Sequence, residues 1–316
     1  MSAGWSVVGS ALAAVAAGVW LAVGGVAQQR AASSRPTDER FSLRLVSALV
    51  RDRTWLLGIA AAALSYGFQA LALVLGPLVL VQPLIVSELL FAVPFSLRRH
   101  QMHLQARDWV AVLAVVVGLA LGIVATDPHK GDPTQPFSRW LPVLVVVLLV
   151  AAAGVVASRR VNGPGKASAL ALSGAVVMAL QSALYAGTLD KLRHDGFGLV
   201  TQWEPYALVV ASVAGAYLIQ NAFQSGPLAA SSPVIDAVLP LVAVGLGVYL
   251  FHEPVRTTVV GLVGGGVGLL LMIGGIVGLD TSPLVRHAQR LEREEQKKNG
   301  EQEQEQREEA GQPEPG

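Results

Sequence analysis

Cysteine is absent from all 316 residues. Disulfide bridges, thiolate metal sites and cysteine nucleophiles are therefore excluded, while the redox compartment is left open. Charge is also scarce: 14% of the residues are Asp, Glu, Lys or Arg, against roughly 25% in an ordinary soluble domain. The shortage is uneven. Long blocks carry no charge, and short segments between them hold most of it. With 53% hydrophobic residues, this is the pattern of a bilayer protein, whose spans need about 20 mostly apolar residues each. The net charge of +1 gives no electrostatic case for a nucleic-acid partner.

The gaps between charges place the spans. The run from Trp5 to Ala27 is uncharged, and no Lys or Arg precedes Arg30. A secretory leader wants a positive start and a shorter apolar run, so this segment is expected to be a retained first helix. From Thr54 to Leu97 the only charge is Glu88. As one helix that block would measure about 66 Å, more than twice the roughly 30 Å hydrocarbon core. It must fold back, and Gly76-Pro77 at its middle is a turn signal. A second long block, Pro205 to Phe251, carries only Asp236 and is broken at Gly226-Pro227. The expected spans are about 5–27, 55–75, 77–97, 109–126, 140–158, 167–189, 205–224, 227–251 and 257–279. The fold class is thus an all-α, polytopic transmembrane bundle of nine helices occupying residues 1–280. Residues 281–316 turn charged and glutamine-rich, which predicts a largely disordered tail.

Basic residues favour the cytoplasmic side. One set of connections holds Arg30, Arg35, Arg40, Arg44, Arg51, Arg53, Arg98, Arg99, Arg107, Arg159, Arg160 and Lys166. The other holds only Lys130, Arg139, Lys191, Arg193 and Arg256. A multi-pass protein of the cell membrane is predicted, with its N-terminus outside and its tail inside.

The two long blocks resemble each other. YGFQALALVLGPLVLVQPLI at 66–85 aligns, with one gap, to YLIQNAFQSGPLAASSPVI at 217–235. Tyr66 pairs with Tyr217, Gln69 with Gln220, Gly76-Pro77 with Gly226-Pro227 and Pro83 with Pro233; the register continues to Gly118 and Gly268. The second to fourth spans therefore correspond to the seventh to ninth. A shift of five spans is odd and inverts orientation, giving two inverted, related halves at about 5–126 and 140–279.

On these residues, together with Phe251-His252-Glu253-Pro254 and the glycines Gly261, Gly264, Gly268 and Gly274 of the last span, the chain resembles the drug/metabolite transporter superfamily with its EamA-type repeat. The nine-span count and GPLVLVQPL look most similar to the NIPA-like branch. That resemblance implies a secondary transporter, with magnesium or another divalent cation as one alternative cargo. Two departures stand out. His103 occupies the first-half position of Glu253, and one helix of the usual ten is missing, expected from the first half.

Two acids fall within spans, Glu88 and Asp236, nearly equivalent in the repeat. A charge at the bilayer centre costs about 2.5–3.5 kcal/mol on insertion scales and usually marks an ion or proton path; the plainer role is a protonated acid bonded between helices. Tyr217, Gln220, Asn221 and Gln224 share one face at helical spacing, as do Gln181, Ser182, Tyr185 and Thr188, and Tyr66 with Gln69. The substrate or ion path is thus expected along Asp236, Glu88, Tyr217, Gln220, Asn221, Gln181, Tyr185, Tyr66 and Gln69, with ordinary interhelical bonding as the alternative. Hinges are expected at Gly76, Pro77, Pro83, Gly226, Pro227 and Pro233, because each inner proline frees the carbonyl four residues earlier. No nucleophile–base pair, phosphate loop or zinc helix occurs, so neither an enzyme nor a cofactor is expected, and no metal ligands are assigned. The expected partners are a small solute or cation, the lipid bilayer and a second copy of the chain. A scaffold or sensor acting through the tail is the reading from another class.

Overall fold

The computed structural model describes residues 3–33, 52–99, 105–226, 228–283 and 287. Its helices are α1 (Ala3–Ser33), α2 (Arg53–Leu75), α3 (Leu78–Ile85), α4 (Glu88–Arg99), α5 (Ala106–Thr126), α6 (Phe137–Ser158), α7 (Pro164–Asp195), α8 (Glu204–Ser225), α9 (Leu228–Leu250) and α10 (Val259–Asp280). A short 3₁₀ turn, Gly196–Thr201, precedes α8. No strand occurs among the described residues. Eight helices are each long and apolar enough to cross a bilayer, and α3 with α4 makes the ninth, shorter apolar span. The chain is a multi-pass helical membrane protein. The charged tail beyond residue 287, His103 and Pro227 lie outside the described residues.

The helix starts follow from local chemistry. Asp52 accepts from the amides of Thr54 and Trp55 to open α2, and Gln105 and Asp108 form a reciprocal capping box on α5. Thr258 caps α10 through Gly261 N–H. Pro164 stands in the first turn of α7, where its missing N–H costs nothing. That helix runs past the expected 167–189, because its polar final turn, Asp190–Asp195, continues the helix beyond the apolar stretch.

The third span differs from expectation. It is not one helix over 77–97 but is interrupted at Val86-Ser87, so that Glu88 opens α4. Tight bonds from Ser87 N–H to Leu84 C=O and from Leu90 N–H to Ser87 C=O carry the chain through the interruption. Gly18 of α1 lies against it. A Cβ at Gly18 would come 3.0 Å from the Ile85 carbonyl and 3.1 Å from the Glu88 amide, so a larger residue there would have to push the interruption back by a few tenths of an ångström.

The packing repeats with a shift of five spans. Helix α1 packs on α2 as α7 packs on α8, and α1 packs on α3 and α4 as α7 packs on α9. The equivalents α5 and α10 pack on each other, as do α3 and α9. Helix α6 has no counterpart among the described residues. At the centre stands α7, buried along Ala167, Ala171, Gly174, Ala175, Ala179 and Ala183; small residues let α6, α8 and α9 come close.

Candidate functional site

At one end of the bundle the connection after α5 is knitted to the connection between α9 and α10. His129 N–H donates to Pro254 C=O (3.1 Å), Asp132 N–H to Phe251 C=O (2.8 Å) and Arg256 N–H to Thr126 C=O (2.7 Å). Side chains add Arg256 to Asp127 at 2.9 Å, Arg139 to His252 and Thr134 to Asp190 at 2.6 Å. A Cβ at Gly131 would run into the Phe251 carbonyl, so the two connections touch backbone to backbone. Asp127 and His252 both hold positive φ, at 43° and 52°, to make the turns. Beneath them an aromatic layer forms from Trp140, Trp203, Phe137 and Phe251, with Trp140 and Trp203 edge to face at 5.4 Å.

The same end holds Glu253, which sequence analysis named only as part of a motif. Its carboxylate accepts the N–H groups of Leu78 at 2.6 Å and Val79 at 2.8 Å, the first two amides of α3. The amide just after the Gly76-Pro77 break is thus satisfied by the other half of the chain. Glu253 lies beyond the end of α9, and burial pushes its carboxyl up to about 7 despite the lowering effect of those N–H bonds and of Lys130. Lys130 donates to Val74 C=O at 3.1 Å and is itself lowered, chiefly by burial.

Toward the middle, Tyr66 of α2 and Tyr185 of α7 meet edge to face at 6.2 Å. The Tyr185 hydroxyl donates to the Tyr66 carbonyl at 3.0 Å. Glu88, at the start of α4, lies within electrostatic range of Tyr66. Gln69 and Gln181 are buried on the same two helices. Glu88, Tyr66, Tyr185, Gln69 and Gln181 are therefore on α2, α4 and α7, of which α2 and α7 are joined directly by the tyrosines. Gln82 and Ser87 are also buried beside the interruption, with Gln82 Nε2 and Ser87 Oγ lacking hydrogen-bond partners. Neither was singled out from sequence, although a glutamine in an otherwise apolar run, Leu78 to Ile85, was a visible signal.

The second-half residues are arranged differently. Helix α8 packs through Ala211, Gly215 and Ala222, which turns the opposite face outward. Tyr217 is 68% exposed there, and Gln220 is exposed too. Asn221 donates to the Tyr217 carbonyl of its own helix at 2.7 Å. Asp236 is half-buried on α9. Pro83 and Pro233 lie inside α3 and α9; Gly76 is buried at the end of α2, and Gly226 ends α8 in extended backbone. A cavity of about 250 Å³ adjoins Val79 and Pro83 and is otherwise walled mainly by apolar residues of α5 and α10. Among the described residues, no three His, Asp or Glu side chains gather as metal ligands.

An uncharacterized protein of Corynebacterium glutamicum is 31% identical over 272 residues, which cover 85% of this chain and 93% of the relative. The chain belongs to that protein's family. No family model matches it, and no solved structure does. Because the matched length takes in nearly the whole relative, the family is defined over the entire bundle rather than over one half.

Proposed function

We propose that the chain is a secondary transporter of the drug/metabolite transporter type, moving a small solute or cation by alternating access between its two halves. It would lie in the cell membrane with the knitted end outside and the arginine-rich connections and tail inside. One asymmetry carries this reading. The repeat makes α2 equivalent to α8 and α7 equivalent to α1. Helix α2 packs on α7, where the Tyr66 and Tyr185 rings meet, whereas the equivalent pair, α8 and α1, does not pack together to a comparable extent, and Tyr217 of α8 is 68% exposed against 44% for its repeat partner Tyr66. Equivalent positions that are shut on one side and open on the other are what a molecule stopped in one half of an access cycle presents. Glu88 and the polar groups of α2 and α7 lie behind the shut side, and Glu88 and Asp236 are proposed to bind the coupling proton or cation.

The test begins with purified protein and thermal stabilisation by a panel of cations and metabolites. The stabilising compound is then followed into proteoliposomes under an imposed pH or cation gradient. Gradient-dependent uptake supports the proposal. A protein that binds no small molecule, and whose cellular role vanishes when residues after 287 are removed, would instead be a scaffold.

A further inference from the structure

Only 5% of Glu253 is exposed, although it sits in the connection between two spans. Its carboxylate oxygens are bonded to Leu78 N–H and Val79 N–H, amides that no carbonyl of α3 itself can satisfy. The N-terminal end of a helix also favours a negative group. This contact crosses from the second half of the chain to the first, at the knitted end of the bundle. We propose that Glu253 is the latch of the outer gate, tying the α9–α10 connection to α3 so that outward opening must break it. The inference rests on the alternating-access reading above.

The charged surroundings are defined. From the α5–α6 connection Lys130 faces Glu253, and Lys130 in turn feels Asp190 and Arg193 of α7. His252 is the preceding residue and pairs with Arg139 of α6. Arg256 pairs with Asp127, and His129 is tied to the Pro254 carbonyl through its amide. Helix α3 contributes backbone amides and no charged side chain.

Burial raises the Glu253 carboxyl from 4.5 to about 7. Opening would hydrate it and return it toward 4.5. A raised acid stabilises the buried state most at low pH, and that advantage is lost as pH rises through the buried-state value. The closed-to-open ratio should therefore be highest at acid pH and fall about tenfold per pH unit between roughly 4.5 and 7, by at most roughly 300-fold in all, and then level off. Acid outside would hold the gate shut.

The absence of cysteine makes the measurement direct. Leu71 on α2 and Leu192 on α7 are both exposed near that end. Nitroxides on Leu71→Cys and Leu192→Cys, in full-length protein in lipid nanodiscs, report the separation by pulsed dipolar spectroscopy from about pH 4 to about pH 9. The expected result is a short-distance population that gives way to longer distances across the stated window. Glu253→Gln should remove that transition. Lys130→Met leaves the latch in place and should extend the window to higher pH, so it serves if Glu253→Gln does not fold. The double variant His129→Gln/His252→Gln should keep the transition. A long-distance population that ignores pH, or a Glu253→Gln protein that titrates like the parent, overturns the latch alone. Loss of the transition in the histidine variant assigns it elsewhere and overturns the latch too. Absence of any long-distance population at every pH, in parent and variants, removes alternating access and the latch with it.

Discussion

Gly118 and Gly268 face each other across the α5–α10 contact. They are equivalent in the internal repeat, separated by 268 − 118 = 150 positions, and their helices touch backbone to backbone. A Cβ on Gly118 would lie 2.5 Å from the Gly268 carbonyl, and one on Gly268 would lie 2.7 Å from the Gly118 carbonyl. A residue that meets its own repeat partner marks the axis relating the halves. Close helix contact through glycine is also the chief source of attraction between spans in lipid, where apolar burial gives little.

Gly118→Leu or Gly268→Leu should therefore force the two helices apart. Overpacking costs about 1–3 kcal/mol, seen as a lower apparent Tm in detergent. Gly122→Ala and Gly266→Ala are the controls, because a Cβ at either meets nothing within 4 Å. These should stay within about 1 kcal/mol of the parent. Equal losses at all four positions would mean that the α5–α10 contact does not hold the bundle as described.

The nine spans were legible because charge alone marks them, and the repeat because Tyr-x-x-Gln and Gly-Pro are uncommon in apolar sequence. Three features were not. The interruption before Glu88 packs closely against Gly18 of another helix, a tertiary contact no local pattern encodes. Helical periodicity places Tyr217 and Gln220 on one face of α8 but does not say which way that face points; the small residues Ala211, Gly215 and Ala222 decide it. Glu253 went unassigned because its partners Leu78 and Val79 are 175 and 174 positions away, and the repeat, with His103 in the matching place, offered no second acid to draw notice.

The Tyr185 hydroxyl bond to the Tyr66 carbonyl should be separable from the ring contact. Tyr185→Phe keeps the edge-to-face packing and removes the donor. A hydrogen bond between membrane helices is worth about 0.6 kcal/mol, so the closed-to-open ratio should fall roughly threefold. The same Leu71 and Leu192 spin labels read it. No change would assign the closure to the rings and to the latch instead.

The intramembrane acids should differ in kind from acids in the connections. Asp236→Asn and Glu88→Gln should each reduce gradient-driven uptake in proteoliposomes to the level of empty vesicles while leaving the protein folded. Asp195→Asn, at an exposed position, should transport like the parent. Parent-like uptake by Asp236→Asn would remove that acid from the coupling step.

Lys191 and Glu204 form the most deeply buried ion pair among the described residues, 2.6 Å apart with side chains 13% and 1% exposed. Lys191 also donates to Gln202 at 3.0 Å, so the pair pins the end of α7 to the start of α8. Breaking one side leaves a charge in a dry place, which costs about 3–5 kcal/mol, whereas replacing both by apolar groups is often neutral. Lys191→Met should therefore lower the apparent Tm sharply, and Lys191→Met/Glu204→Met should recover most of the loss. Glu204 Oε2 has no hydrogen-bond partner, which makes the lone carboxylate harder still to accommodate. If the double variant is as unstable as the single one, the pair contributes through shape and its hydrogen bond to Gln202 rather than through charge compensation.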